Sequence, residues 1–393
     1  MPDPQDLRQG EGLKPLPYWP LSGFYFSYFS FLGAFTPYWS LYLKSLDFSA
    51  LQIGILMSVL QVMRIFAPNL WGWQADRSGK RLAVVRIAAF MSVVAYVGVF
   101  FGSQFYWLLI VMLLMSFFWS ASLPIIEATT LSHLNGRIER YGQIRSWGSL
   151  GFIVAVVGLG KLLDHLPISS LLYAVLGFLL GTLLFALAIP EGERAPLDAD
   201  AVPMKSILGR SEVLALFSSC LLMAAAHGPY YTFYSIYLVS HGYMKSSVGW
   251  LWGLGVICEI GVFFMMPKIM GRFSLKSILA FSLACAVLRF AVIGWWIDSL
   301  LLIVAAQVLH AATYGAHHAA SMAAVHHFFK GRHQAKGQSI YTSLAYGMGG
   351  TLGALGGGYA WGTLGPQLTF GFASLCALTG LAILLWKFRL SPG

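Results

Sequence analysis

Apolar residues in this chain run almost unbroken for about 20 positions at a time and stop at short polar turns. They follow neither the alternation of a half-buried strand nor the one-sided stripe of a soluble helix. Runs of that length cross a bilayer as helices. The pattern predicts twelve, near 19–43, 50–72, 82–102, 105–131, 142–163, 168–190, 213–240, 247–267, 276–297, 299–327, 337–360 and 367–387. A membrane β-barrel would instead show alternating segments of about ten residues. The one long polar connection, residues 191–212, separates two sets of six. The expected organisation is therefore a polar tail at 1–18, a six-helix bundle at 19–190, a linker at 191–212, a second bundle at 213–387 and a short tail at 388–393.

Composition sharpens this picture. Charged residues are only 10% of the chain and mean hydropathy is +0.70, where a soluble protein would carry roughly a quarter charged residues. The net charge of +10 calls for no nucleic-acid partner, because 20 of the 25 Lys and Arg fall at the N-terminus, the even-numbered loops, the C-terminus and their helix edges. Lys44, Lys161 and Lys245 lie on the other side, and Arg64 and Arg289 sit within segments. The positive-inside bias then places both termini in the cytoplasm. Residues 1–18 lead into a segment too long for a signal-peptide core. The cysteines (Cys220, Cys258, Cys285, Cys376) are scattered within helices and read as small apolar residues, without metal or redox spacing.

The two halves repeat. Gly136-Arg137 with Gly142-Gln143 recurs as Gly331-Arg332 with Gly337-Gln338, at an offset of 195. At the same offset "SLYL" (40–43) matches "SIYL" (235–238), Ile53-Gly54 matches Val248-Gly249, and Arg77 matches Arg272. One constant offset near half the chain length implies parallel repeats around a central site. Between the second and third segments, "GWQADRSGKR" gives Gly72-x3-Asp76-Arg77-x-Gly79-Lys80-Arg81. Here the chain resembles the major facilitator superfamily, whose second loop carries that motif. The resemblance implies an all-α membrane protein of twelve transmembrane helices in two pseudo-symmetric six-helix bundles. It also implies a gating role for Gly72, Asp76, Arg77, Gly79 and Arg81, with glycines allowing a tight turn and Asp76 capping a helix or pairing with arginines. The second copy, around Gly271 and Arg272, lacks the acid.

Charges inside apolar segments are costly unless paired or facing a wet cavity. Glu127 and Arg145 lie 18 positions apart across a short loop, so antiparallel helices bring them to similar depth. The pair is either a staple between the two helices or part of a substrate site. Glu259, Arg289 and His310 follow in three consecutive segments of the second half. Together the five resemble the charged set of the proton symporters related to lactose permease, a group that includes nucleoside symporters and the phenylpropionic acid permease family. That resemblance implies substrate binding by Glu127 and Arg145 and proton coupling by Glu259, His310 and Arg289. A carboxyl in a poorly hydrated site takes up its proton closer to neutrality, and an imidazole can relay or sense it. The chain departs in one place, with Thr313 where lactose permease has an acid.

Three buried arginines (Arg64, Arg145, Arg289) against two acids leave one cation for an organic anion, which arginine holds by a bidentate fork. Arg64 is either that receptor or a partner within its own half. The aromatic-rich first segment and "PYWSLYL" at its end look most like the phenylpropionic acid permease family. Tyr28, Phe31, Phe35 and Trp39 recur at helical spacing and could stack on an aromatic substrate; lipid contact is the alternative. The glycine run "YGMGGTLGALGGG" reads as close helix packing.

The expected protein is thus no enzyme and needs no cofactor or metal. It is a proton-coupled symporter in the bacterial inner membrane, monomeric, whose partners are a proton, a small organic solute such as phenylpropionate, and the bilayer. A nucleoside or sugar symporter and an exporter of the same fold stay open. A metalloenzyme built on His317, His318, His326 and His327 is disfavoured, because its histidine pairs lack the i, i+3 or i+4 spacing of helical ligands.

Overall fold

The computed structural model describes residues 16–134, 139–191, 205–330 and 333–389, and these form helices and turns, with no strand among them. Twelve long helices follow one another. The first six are α1 (Tyr18–Ser45), α2 (Ala50–Ser78), α3 (Arg81–Val97, continued by a tight turn Gly98–Phe100), α4 (Phe105–Leu134), α5 (Glu139–His165) and α6 (Ser170–Ala188). After a single turn at Lys205–Leu208 come α7 (Ser211–Ser240), α8 (Lys245–Arg272) and α9 (Leu275–Trp295). The helix α10 spans Leu300–Phe328 with a π-helical stretch at Ala311–Ala316. Its neighbour α11 is built from His333–Tyr341, a π-helical stretch Thr342–Gly349 and Gly350–Leu364, and α12 is Pro366–Lys387.

Ten of the twelve are long and apolar enough to span a bilayer by composition alone; α1 and α11 are the exceptions. The reason in α1 is position. It packs on α5, α6 and α7, and 18 of its 28 residues are buried, Ser30 among them. A helix wrapped in protein has little lipid to face and tolerates hydroxyls that bond its surroundings, as Ser30 Oγ does to the Gly151 carbonyl at 3.0 Å.

Within the first half, α1 packs on α5 and α6, α3 on α4 and α6, and α2 on α4. In the second half α12 packs on α7 and α9, and α11 on α7. The halves meet along two main seams, α5 with α8 and α2 with α11. Small residues make both approaches close. A methyl on Gly54 of α2 would lie 2.7 Å from the Ala354 carbonyl oxygen and 2.9 Å from Gly358 Cα in α11. Asp164 at the end of α5 accepts the Ser246 backbone N–H at 3.3 Å, in the first turn of α8. Tyr38 Oη donates to the Val156 carbonyl at 2.6 Å and lies 3.4 Å from that of Lys245.

Two expectations change. The hydrophobic pattern ends the second segment at 72, yet α2 continues to Ser78. Gly72 therefore sits inside a helix with open space beside it, and makes no turn. Gly79 does: at φ 65° it closes α2 in the left-handed conformation, its N–H bonded to the Ala75 carbonyl. The Gly136-Arg137 and Gly331-Arg332 copies of the repeat, residues 1–15, 192–204 of the linker and 390–393 lie outside the described residues.

Candidate functional site

Between the halves lies a cavity lined from seven helices: α1, α2 and α5 of the first half, and α7, α8, α10 and α11 of the second. At the end of α5 and α8 away from the chain termini the two helices touch, from Val156 to Asp164 on one and Lys245 to Gly253 on the other. Toward the termini they part, and Arg145, Ser149 and Phe152 face Trp252, Val256 and Glu259 across the cavity.

The first-half wall carries two cations. Arg145 Nε lies 4.0 Å from Glu127 Oε1, a long ion pair with both side chains about one-third exposed. Its guanidinium is stacked at 4.0 Å over the Phe29 ring and 5.7 Å from that of Tyr25. Cation–π contact of this kind fixes the plane of the fork without consuming its N–H donors. Tyr25 is itself held by Thr130 at 3.2 Å. Arg64, one helix away, donates to Gln61 Oε1 at 3.2 Å and forms no ion pair among the described residues. Glu127 stands behind Arg145 and is not part of the cavity wall.

The second-half wall carries the acid. Glu259 Oε2 lies 3.8 Å from His310 Nε2, both largely buried. The His310 ring stacks nearly parallel on Tyr314, with centroids 5.5 Å apart. Behind them Arg289 is fully buried, over the Tyr230 ring at 4.2 Å. It donates to the Ala306 carbonyl at 3.0 Å and to Thr313 Oγ1 at 3.2 Å, and faces His227 Nε2 at 3.3 Å. Thr313 thus gives Arg289 a neutral acceptor. The π-helical stretches of α10 and α11 border the cavity and bring Thr313, Tyr314, Ala345 and Tyr346 to its wall. Such bulges recur at functional sites.

Tyr28 and Phe31 are placed elsewhere. Both are buried and packed on Trp119, Tyr28 stacked at 4.3 Å and Phe31 at 5.0 Å. They build the core of the first half, while Phe29, Leu32, Phe35 and Thr36 are the α1 residues that reach the cavity. At the end of α2 Asp76 pairs with Arg81, the first residue of α3, at 3.3 Å, and Arg77 lies over Trp73 at 5.3 Å. His317 lines the cavity, and His318 Nδ1 is 2.8 Å from Tyr346 Oη. No three His, Cys, Asp or Glu side chains among the described residues group as a metal site. Cys220, read as a core residue, also reaches the cavity. Sequence reasoning passed over His227, Gln61 and Trp252, which line the cavity. The signal for His227 was available, a single imidazole in the apolar stretch "MAAAHGPYY".

Twelve helices in two packed halves, with charged groups facing one another across a cavity at their interface, define a secondary transporter of the major facilitator superfamily. Residues 18–372 match the model of the MFS_1 like family, and the chain belongs to that family. A protein described as a probable 3-phenylpropionic acid transporter in Escherichia coli (strain K12) is 30% identical over 84% of this chain and 86% of its own length. The maltose permease of Geobacillus stearothermophilus is 25% identical over 92% of each chain. Among solved structures, a mutant of the nucleoside transporter NupG superposes with a TM-score of 0.85 at 18% identity, covering 95% of this chain and all of that one. At that identity the likeness shows the fold. The protein is a multi-pass membrane transporter of small organic solutes, and not an enzyme.

Proposed function

We propose that the protein is a proton-coupled symporter that imports an aromatic carboxylate of the phenylpropionate kind. The observation that carries the reading is the opposition of two walls. Arg145 and Arg64 present guanidinium donors on one side, and Glu259 with His310 stands on the other. A carboxylate between the arginines would complete the fork that the long Glu127 contact leaves open. The ring would meet Phe29, Phe35, Tyr231, Trp252 or Tyr314, all on the wall. The cavity measures about 240 Å³, below the usual span for drug-sized ligands, which suits a solute of one or two rings.

Glu259 takes a proton from the far side and returns it on the near side, with His310 as relay. Substrate and proton together neutralise the site and permit the halves to rock. The Lys and Arg bias supports cytoplasmic termini in a bacterial inner membrane, which makes the closed α5–α8 end extracytoplasmic and this state inward-facing. Asp76, Arg77, Gly79 and Arg81, with Gly72, then belong to the cytoplasmic gate. We further read residues 19–190 and 213–387 as the moving units of a monomer.

The test is external pH in lightly buffered, de-energised cells expressing the protein. Addition of 3-phenylpropionate should give an alkaline jump that Glu259→Gln abolishes, while that variant still exchanges internal for external substrate. A jump with nucleosides or maltose instead would move the substrate class. No jump with any of them, despite membrane expression, would refute symport of these solutes and favour export.

A further inference from the structure

The hydrogen-bond partners of His227 assign its protonation. Its Nδ1 lies 2.8 Å from the Met223 carbonyl oxygen. A carbonyl only accepts, so Nδ1 carries the hydrogen. Its Nε2 lies 3.3 Å from Arg289 Nη1, which only donates, so Nε2 carries the lone pair. A doubly protonated ring would aim an N–H at a guanidinium. His227 is therefore neutral, in the Nδ1–H form, and acts as one of three neutral acceptors holding Arg289, with Thr313 and the Ala306 carbonyl. Among the described residues no carboxylate forms an ion pair with this fully buried arginine. The acid of the same half, Glu259, is separated from it by His310, whose ring lies 6.3 Å from that of His227.

We propose that His227 is a positioning residue of the proton site, holding Arg289 on its Nε2 lone pair and so keeping the guanidinium off Glu259. The inference rests on the proton-carrier role given to Glu259 above. An arginine released toward Glu259 would favour the ionised carboxylate and strip the site of its proton. Parked behind His310, it leaves Glu259 free to load. The other groups that face the cavity or Arg289 here are His310, Tyr314 and His317 from α10, Cys220, Tyr230 and Tyr231 from α7, and Arg145 and Arg64 across the cavity, with Tyr341 and Tyr346 from α11. The α1 residues on the wall, Phe29, Leu32, Phe35 and Thr36, do not titrate. His227 thus offers Arg289 a lone pair from α7, beside Tyr230 of the same helix, whose ring lies under the guanidinium at 4.2 Å.

The test needs no transport substrate. In the purified full-length protein, infrared difference spectra would follow the carbonyl band of a protonated carboxyl, identified by its loss in Glu259→Gln, as pH is raised. His227→Leu removes the acceptor, and its band midpoint should fall by about one pH unit or more, a roughly tenfold weaker hold on the proton. His227→Gln can accept from Arg289 and donate to the Met223 carbonyl, and should titrate close to the wild type. Thr313→Val removes the other side-chain acceptor without changing shape, should move the midpoint the same way by less, and decides the matter if His227→Leu does not fold. An unmoved midpoint in folded His227→Leu and Thr313→Val would overturn the proposal, as would an equal shift in His227→Gln. A wild-type protein with no band lost in Glu259→Gln would instead refute Glu259 as proton carrier, and the positioning role with it.

Discussion

Asp164 holds the two halves together from an unfavourable place on its own helix. It lies one residue from the C-terminal end of α5, where the helix dipole disfavours an anion. The favourable partner is in the other half: both carboxylate oxygens lie 3.3 Å from the backbone N–H of Ser246, in the open first turn of α8. Met244, at the N-cap of α8, provides no side-chain hydrogen bond, so Asp164 acts as a cap supplied across the seam. A capping side chain contributes about 1 kcal/mol, and at this partly exposed site the lower half of the usual range applies. The contact exists only while this end is closed. Asp164→Ala should therefore shift the ratio of closed to open toward open by roughly fivefold. Asp164→Asn keeps an acceptor and loses the charge, and should shift it by less. Spin labels at Leu166→Cys and Met244→Cys, both exposed positions, in a background without the native cysteines, would report the two populations as a distance distribution. An unchanged distribution in Asp164→Ala, or a larger shift in Asp164→Asn than in Asp164→Ala, would refute the reasoning.

Other outcomes follow from the same contacts. Gly54→Val would drive two methyls into the backbone of α11 at Ala354 and Gly358; the protein should reach the membrane, fail to close at that end and lose uphill uptake, and normal uptake would show that the seam yields. Arg145→Lys keeps the charge over Phe29 but loses the fork, and should raise the KM for a carboxylate solute by about tenfold or more with its membrane level unchanged. Tyr38→Phe removes the hydroxyl that bonds the Val156 carbonyl at 2.6 Å, costs about 1 kcal/mol and should lower the thermal midpoint in detergent by a few degrees. Trp119→Ala removes the ring on which Tyr28 and Phe31 stack; it should lower stability by about 3–5 kcal/mol, read as loss of folded protein rather than as a changed KM.

The number and order of the helices were legible from hydrophobic runs, because a bilayer rewards any segment that satisfies its own backbone and is apolar for long enough. The meeting of Glu127 with Arg145 was legible too, since a short loop between antiparallel helices leaves little choice of depth. Facing was not. A membrane helix is apolar all round, so its pattern does not say which side meets protein and which meets lipid. Tyr28 and Phe29 are adjacent in the chain, yet one is core against Trp119 and the other cradles Arg145. Only the packing of α1 against its neighbours made that difference. The same holds for Gly72, which the loop motif suggested as a turn and which the continuation of α2 keeps helical. His227 is a single polar letter in "AAAHGPYY", and nothing local assigns it a partner 62 positions away. The sequence by itself determined what crosses the membrane, because that is a property of each segment against lipid. The tertiary structure alone decided which side of each helix faces the cavity, and so which groups oppose one another across the two halves, because that depends on helix rotations set by contacts between segments.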